Sequence, residues 1–264
     1  MIIFSSQTYK QTEVETMNKI KSFISSEIEC LKNDITKIEY ICWWILRILM
    51  VWAIITKYRE LGPAYSPTVL NLVLNLFSSF AVTLIRLILV PKRIICKLPY
   101  RVQTYIDILV FFASFCGHGL NTMAKVPEWD KVMHLLTGAL FVFIGNEIIK
   151  MFMRSDDRIS PPVRAFCAFG FSNVAIVFWE MFEFFVDYYW PGSTNQGYNC
   201  HLDPNSVFVK IFGMGAQNEY QWAVVDTCVD MTYAFITSVI AAVILVKVLS
   251  KQERKLPVSQ EVTV

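Results

Sequence analysis

Six long apolar runs dominate this sequence and limit what it can fold into. They cover residues 40–56, 67–90, 102–122, 132–152, 163–189 and 222–248, and each is close to the roughly 20 residues that a helix needs to cross a bilayer. A backbone in lipid must satisfy its own hydrogen bonds, so such runs fold as helices. The sequence therefore predicts an all-α, polytopic membrane helix bundle of about six transmembrane helices.

The charge content supports a membrane environment. Only 17% of the residues are charged, whereas soluble domains carry about 25%. The net charge of +2 is small, and Lys and Arg gather in short loops instead of forming one basic face. Membrane lipids are the expected partners, and nucleic acid is not.

The chain divides into three predicted parts. Residues 1–38 form a cytoplasmic helical segment, residues 39–250 the six-helix transmembrane domain, and residues 251–264 a cytoplasmic tail. The first segment is amphipathic, because apolar residues recur at helical spacing: Met17, Ile20, Ile24, Ile28, Leu31, Ile35 and Ile38. Its apolar face could pair with a second copy, or lie on the lipid surface or on the rest of the protein.

Basic residues predict the orientation. They cluster between the second and third runs, between the fourth and fifth, and after the sixth: Lys92, Arg93, Lys97, Arg101, Lys150, Arg154, Arg158, Arg164, Lys247, Lys251, Arg254 and Lys255. Cytoplasmic loops carry the excess of Lys and Arg. Both termini are therefore expected in the cytoplasm.

Polar residues collect at the opposite, outer end of four runs. They are His118 and Asn121 on the third, Asp130 and His134 on the fourth, Glu180, Glu183 and Asp187 on the fifth, and Asp226 and Asp230 on the sixth. Within each helix they are spaced by three, four or seven residues, so they share one face. Charged groups in a membrane are costly and mark functional sites.

This combination of carboxylates and imidazoles suits a divalent metal ion of unknown identity. His134, Glu180, Asp226 and Asp230 are the predicted ligands, and Glu183 or Asp130 the general base. His118, Asn121, Asp187 and Gln217 would line the site. The same set could instead share protons, or cap helix ends beside water.

Two further features leave alternatives open. A second polar set lies at the inner side, where Asp107 is expected to pair with Arg86 or Arg47, and Glu147 lies near Lys150. The alternative is a proton path that runs from this set to the outer cluster. The loop 191–220 is long enough to fold over the outer site, or it is simply solvated.

The order of motifs resembles a known family. H-G-L-N at 118–121, W-D-K-V-M-H-L-L-T-G at 129–138, W-E-M-F-E-F at 179–184, G-A-Q at 215–217 and V-V-D-T-C-V-D-M at 224–231 resemble the YjdF-like bacterial inner-membrane proteins. The D-K-x-x-H element also resembles the VanZ-like family. The resemblance implies a multi-pass protein of the bacterial inner membrane with a site at these acidic and histidine positions, and it implies no particular reaction.

Three functions fit these features. The first is a metal-dependent enzyme acting on a lipid or lipid-linked headgroup. The second is a cation- or proton-coupled transporter, although the sequence has neither an inverted repeat nor a helix pair broken by Gly or Pro. The third is a structural or accessory protein. The oligomeric state stays open.

Overall fold

The computed structural model describes residues 3–61, 67–88, 98–126, 128–153, 159–189, 195 and 219–254. Within these ranges the chain is helical and contains no strand. The helices are α1 (Ile3–Asp34), α2 (Lys37–Leu61), α3 (Pro67–Ser78), α4 (Ala81–Ile88), α5 (Arg101–Leu109), a π-helix (Val110–Gly119), α6 (Thr122–Lys125), α7 (Trp129–Phe152), α8 (Pro161–Tyr189) and α9 (Glu219–Glu253). The predicted all-α membrane bundle is confirmed.

Four of the described helices are long and apolar enough to cross a membrane. They are α2, α7, α8 and the part of α9 from Ala223 to Glu253. Helices α3 and α4 make a fifth candidate as a pair, although they are bent by 55° at the break between them. The third predicted run folds as α5 followed by the π-helix, and neither piece is long enough alone. The count of six crossings therefore stays a prediction.

Helices α7, α8 and α9 form a tightly packed unit because small residues let their backbones approach. A Cβ added at Gly138 would lie 2.1 Å from the backbone oxygen of Ala234, and one at Gly145 would lie 2.9 Å from Phe171. Ser172 on α8 also donates a 2.9 Å hydrogen bond to the Gly138 carbonyl. Any polar residues near the ends of these helices are thereby brought close together.

The break between α3 and α4 is satisfied by side chains from neighbouring helices. Gln103 donates to the carbonyl of Ser78 at 3.2 Å and accepts from the backbone N–H of Val82 at 2.9 Å. Arg47 donates to the carbonyl of Ser79 at 2.5 Å. A bent helix in lipid needs such partners, because no water is present to replace its lost backbone bonds.

The predicted ion pair between Asp107 and Arg86 is wrong. Asp107 instead accepts a 2.7 Å hydrogen bond from Gln103, while Arg86 binds Glu27 of α1 through two nitrogens at 2.7 and 3.0 Å. Arg47 instead donates to the Ser79 carbonyl at the break between α3 and α4. The sequence pattern could not reveal these exchanges, because Glu27 lies far from Arg86 in the chain.

Helix α1 is held against the bundle by polar contacts near its C-terminal end. Glu27 also accepts from the Tyr100 hydroxyl at 2.8 Å, and Asp34 accepts from the Tyr100 backbone N–H at 2.7 Å. Burial raises the pKa of Glu27, but the bonds from Arg86 and Tyr100 outweigh it and leave that pKa below its ordinary value. Burial and the bond to Glu27 raise the pKa of Tyr100 to about 12.

The predicted apolar face of α1 is buried at its C-terminal end and exposed from Met17 to Ile28. Leu31 and Ile35 pack into a core with Trp43 and Val102. Farther from the bundle, the large side chains of the same face are about half exposed: Met17, Ile20, Ile24 and Ile28. The switch to α2 is made at Thr36 and Glu39, which bond each other's backbone N–H as a capping box.

Candidate functional site

Three helix ends bring an acid cluster together inside the α7–α8–α9 unit. The cluster comprises Asp130, Lys131 and His134 from the start of α7, Glu180 and Glu183 from the last part of α8, and Asp226 and Asp230 from the first part of α9. Six of its seven residues are buried; Asp130 is partly exposed. The faces of α7, α8 and α9 therefore converge, whereas the polar residues of the third run are not part of this cluster.

Lys131 is the centre of one side of the cluster. Its ammonium group contacts Asp226, and it lies 2.7 Å from Asp230 Oδ2 and 3.2 Å from Asp130 Oδ2. A buried lysine that keeps its charge needs carboxylates to compensate it. Lys131 therefore serves as the counter-ion for the carboxylates of α9 and for its own neighbour.

His134 stands between two groups of carboxylates. Its Nδ1 lies 3.6 Å from Glu180 Oε1, while its Nε2 lies 3.7 Å from Asp130 Oδ1 and 3.9 Å from Asp230 Oδ1. The Asp230 carboxyl is only 1% exposed, and its Oδ1 has no hydrogen-bond partner among the described residues. A neutral imidazole carries a proton on one nitrogen alone, so one side of the ring presents a lone pair to negative oxygens.

The two glutamates of α8 are fixed by neighbours. Trp179 donates a 2.7 Å hydrogen bond from its indole nitrogen to Glu183 Oε1, one helical turn away. Glu180 lies beside Thr227 of α9. The indole bond orients the Glu183 carboxylate towards Trp179.

Two overlapping sets of potential metal ligands result. Asp130, His134 and Asp230 form one set, and His134, Glu180 and Glu183 form the other; in each, the ligand atoms lie within 4.8 Å of one another. Both sets use His134. Asp226, which the sequence predicts as a ligand, lies beside Lys131 instead of in either set.

The charge balance of the cluster is strongly negative. Among the described residues it contains five carboxylates and one lysine. Charges of one sign cannot accumulate in a membrane interior without compensation. The cluster must therefore bind protons, a cation or both.

The remaining predicted site residues lie around or beyond the cluster. His118, at the end of the π-helix, and Asn121, which has a positive φ of 61°, belong to neither ligand set. Asp187 accepts hydrogen bonds from the backbone and side chain of Asn195 at 3.0 and 3.1 Å. Gln217 and nearly all of the 191–220 loop lie outside the described residues.

Sequence reasoning left three contributors out of the site. Lys131 follows Asp130 directly in the sequence, but that position alone does not predict its contacts with three carboxylates. Trp179 could have been found from its i, i+4 spacing to Glu183, and Thr227 from its position beside Asp226. At the other end of α7 the expected Glu147–Lys150 contact is present at 2.6 Å.

One comparison with known proteins gives a match. Residues 38–251 match a family described as a predicted membrane protein, DUF2238. The matched region contains the entire acid cluster. No curated protein and no solved structure matches the chain.

Proposed function

Since the chain belongs to the DUF2238 family of predicted membrane proteins, we propose that it binds a divalent cation in the α7–α8–α9 unit and acts on a lipid or lipid-linked headgroup. The proposal goes beyond the shared membrane character of the family. It rests on one observation, the position of His134 between carboxylates on both of its ring nitrogens.

Two carboxylate groups flanking one imidazole favour a bound cation. If one nitrogen donates its proton to the carboxylates on its side, the other nitrogen directs a lone pair at the carboxylates opposite. That arrangement is repulsive unless a proton or a metal ion lies between them. Metal-bound histidines commonly donate their second N–H to a carboxylate, as this geometry allows.

The Nδ1 side is the better place for the ion. Lys131 already neutralises much of the charge on the Nε2 side, through Asp130, Asp226 and Asp230. On the Nδ1 side, Glu180 and Glu183 meet His134 within the ligand distance. His134, Glu180 and Glu183 are therefore the proposed ligands. Asp230 and Asp226 would support the ring and Lys131 from outside the ligand set.

The proposed chemistry is hydrolysis or transfer at a phosphoryl or carbonyl group. A bound divalent ion polarises such an oxygen and activates water. Asp130 is the proposed general base, because its side chain is 34% exposed and reaches both Lys131 and His134. Its position at the accessible edge of the cluster fits a group that exchanges protons with water.

Elemental mass spectrometry of the detergent-purified protein tests the ion directly. We expect about one equivalent of a divalent metal in the wild type and a loss of most of it in Glu180→Gln and His134→Ala. Glu147→Gln is the matched control, since Glu147 is also a buried carboxylate of this unit but lies at the other end of α7. Asp226→Asn should keep the metal. Equal or absent metal in all of these folded variants contradicts the proposal.

We also propose the membrane that contains the protein and the side on which its termini lie. The loop charges favour both termini in the cytoplasm, which puts the acid cluster toward the outer leaflet of a bacterial inner membrane. The resemblance to YjdF-like proteins agrees with the family match, since YjdF is a DUF2238 member. The VanZ-like resemblance rests on D-K-x-x-H alone and stays a prediction.

A second candidate function, a cation- or proton-coupled transporter, has its own support. Helices α3 and α4 are bent by 55° at Ser79–Phe80 although the break contains neither Gly nor Pro. Discontinuous helices of this kind form ion sites in transporters. Proteoliposomes loaded with a pH-sensitive dye separate the two: cation-driven proton flux that is lost in Glu180→Gln favours transport, and its absence with intact metal binding favours the enzyme.

A further inference from the structure

A separate cavity lies at the other end of the α8–α9 pair. It has a volume of about 150 Å³ and is lined by Ile159, Pro161, Arg164, Leu249, Gln252 and Glu253. Arg164 lies in the first turn of α8, 16 residues before Glu180, which places it about 24 Å from the acid cluster along the helix at 1.5 Å per residue. The cavity is thus independent of the site described above.

The arginine of this cavity has unused hydrogen-bonding capacity. Its Nε and Nη2 are buried, and neither has an acceptor within the part of the chain that the structure describes. Burying donors of a charged group without acceptors costs free energy. Glu147, a buried carboxylate of α7, already accepts from Asn146 and Lys150 at 3.1 and 2.6 Å.

The surroundings of Arg164 favour an anion. Helix α8 begins at Pro161, so the positive end of its dipole lies at the cavity. A guanidinium group matches the paired oxygens of a phosphate. The acid that lines the cavity, Glu253, is exposed and makes no ion pair with Arg164 among the described residues, so it can turn away into solvent.

We infer that this cavity binds a phosphate group, carried by an anionic lipid headgroup or by a free phosphate anion, with Arg164 as the principal contact. Both sources offer the same oxygens to the guanidinium. The cavity is formed at the ends of two candidate spans, which is the depth at which headgroup phosphates lie. Basic pockets between membrane helices bind anionic headgroups in this way.

The test uses the full-length protein in a neutral detergent with a chelator present, so that no metal at the acid cluster can bind the anion. Inorganic phosphate, phosphatidylglycerol and phosphatidylcholine are titrated separately, and binding is measured from the rise in melting temperature. We expect saturable stabilisation by phosphatidylglycerol or phosphate and at least about tenfold weaker binding in Arg164→Gln. Lys251→Gln is the control, because Lys251 is an exposed cation in the last turn of α9 and should behave as the wild type.

The outcomes separate the sources and the alternatives. Binding of phosphatidylglycerol alone identifies a lipid headgroup, and binding of inorganic phosphate identifies a free anion. Equal binding in Arg164→Gln and Lys251→Gln, or no preference for phosphatidylglycerol or phosphate over phosphatidylcholine, overturns the inference. If Arg164→Gln does not fold, Glu253→Gln decides: removing this negative charge should tighten binding about threefold or more, and unchanged binding contradicts a phosphate site.

Discussion

Replacing Lys131 with methionine should destabilise the protein more than neutralising any one of its carboxylate partners. The change keeps an unbranched, apolar stem but removes the charge that Asp226 and Asp230 share. Both aspartates are buried, and the Asp230 side chain is only 1% exposed. Removing one partner of a buried ion pair costs about 3–5 kcal/mol, because the remaining charges stay desolvated.

The contribution of Asp130 should be much smaller. Its side chain is 34% exposed and its contact with Lys131 is 3.2 Å long, so solvent screens most of the interaction. Exposed ion pairs contribute about 0–1 kcal/mol. Asp130→Asn is therefore the matched variant that alters the same cluster at little cost.

Reversible unfolding in mixed micelles, with sodium dodecyl sulfate as the denaturant, measures these differences. We expect Lys131→Met to lose about 3–5 kcal/mol and Asp130→Asn no more than about 1 kcal/mol. In the double variant Lys131→Met/Asp226→Asn, one uncompensated charge disappears, so the combined loss should fall short of the sum by about 0.5–3 kcal/mol. Equal losses in Lys131→Met and Asp130→Asn, or strict additivity, would refute the counter-ion role.

Three other predictions test separate features. Gly138→Ala should sharply reduce the yield of folded protein on size-exclusion chromatography, because its Cβ would lie 2.1 Å from a backbone oxygen, whereas Gly170→Ala, with open space around it, should be tolerated. Because the pKa of Glu27 is lowered in the folded state, its contacts stabilise the fold at pH values above the ordinary glutamate pKa, and this stabilisation is lost as the pH falls through the folded pKa. Limited proteolysis of α1 should therefore increase at low pH. At neutral pH, Glu27→Gln should be as susceptible as the wild type is at low pH. Trp179→Phe removes the bond that orients Glu183, and the proposed metal affinity should fall about 10-fold or more by isothermal titration; an unchanged affinity contradicts that positioning.

The sequence predicted the broad architecture because hydrophobic length is a local property. The runs at 132–152 and 163–189 correspond closely to α7 and α8, since each run must bury about a bilayer's thickness of apolar helix. The faces of the site were also predictable, because the i, i+4 spacing of Asp130 and His134 fixes their common side.

The remaining features depend on contacts between distant parts of the chain. The bend at Ser79 contains no Gly or Pro from which it could be predicted. It is stabilised by hydrogen bonds from Arg47 and Gln103 on other helices. The partner of Arg86 is Glu27 on a helix outside the apolar runs. Lys131 has a neighbour in sequence, Asp130, yet its closest partners lie 95 and 99 residues away.

The attachment of α1 also sets an order of events during synthesis. Glu27 leaves the ribosome long before its partners, because Arg86 follows 59 residues later and Tyr100 73 residues later. Helix α1 therefore cannot attach, and its apolar face stays uncovered, until α2, α3 and α4 have been inserted into the bilayer. A nascent chain stopped before Arg86 should leave α1 accessible to chaperones and proteases, and attachment should be complete only once Tyr100 has emerged.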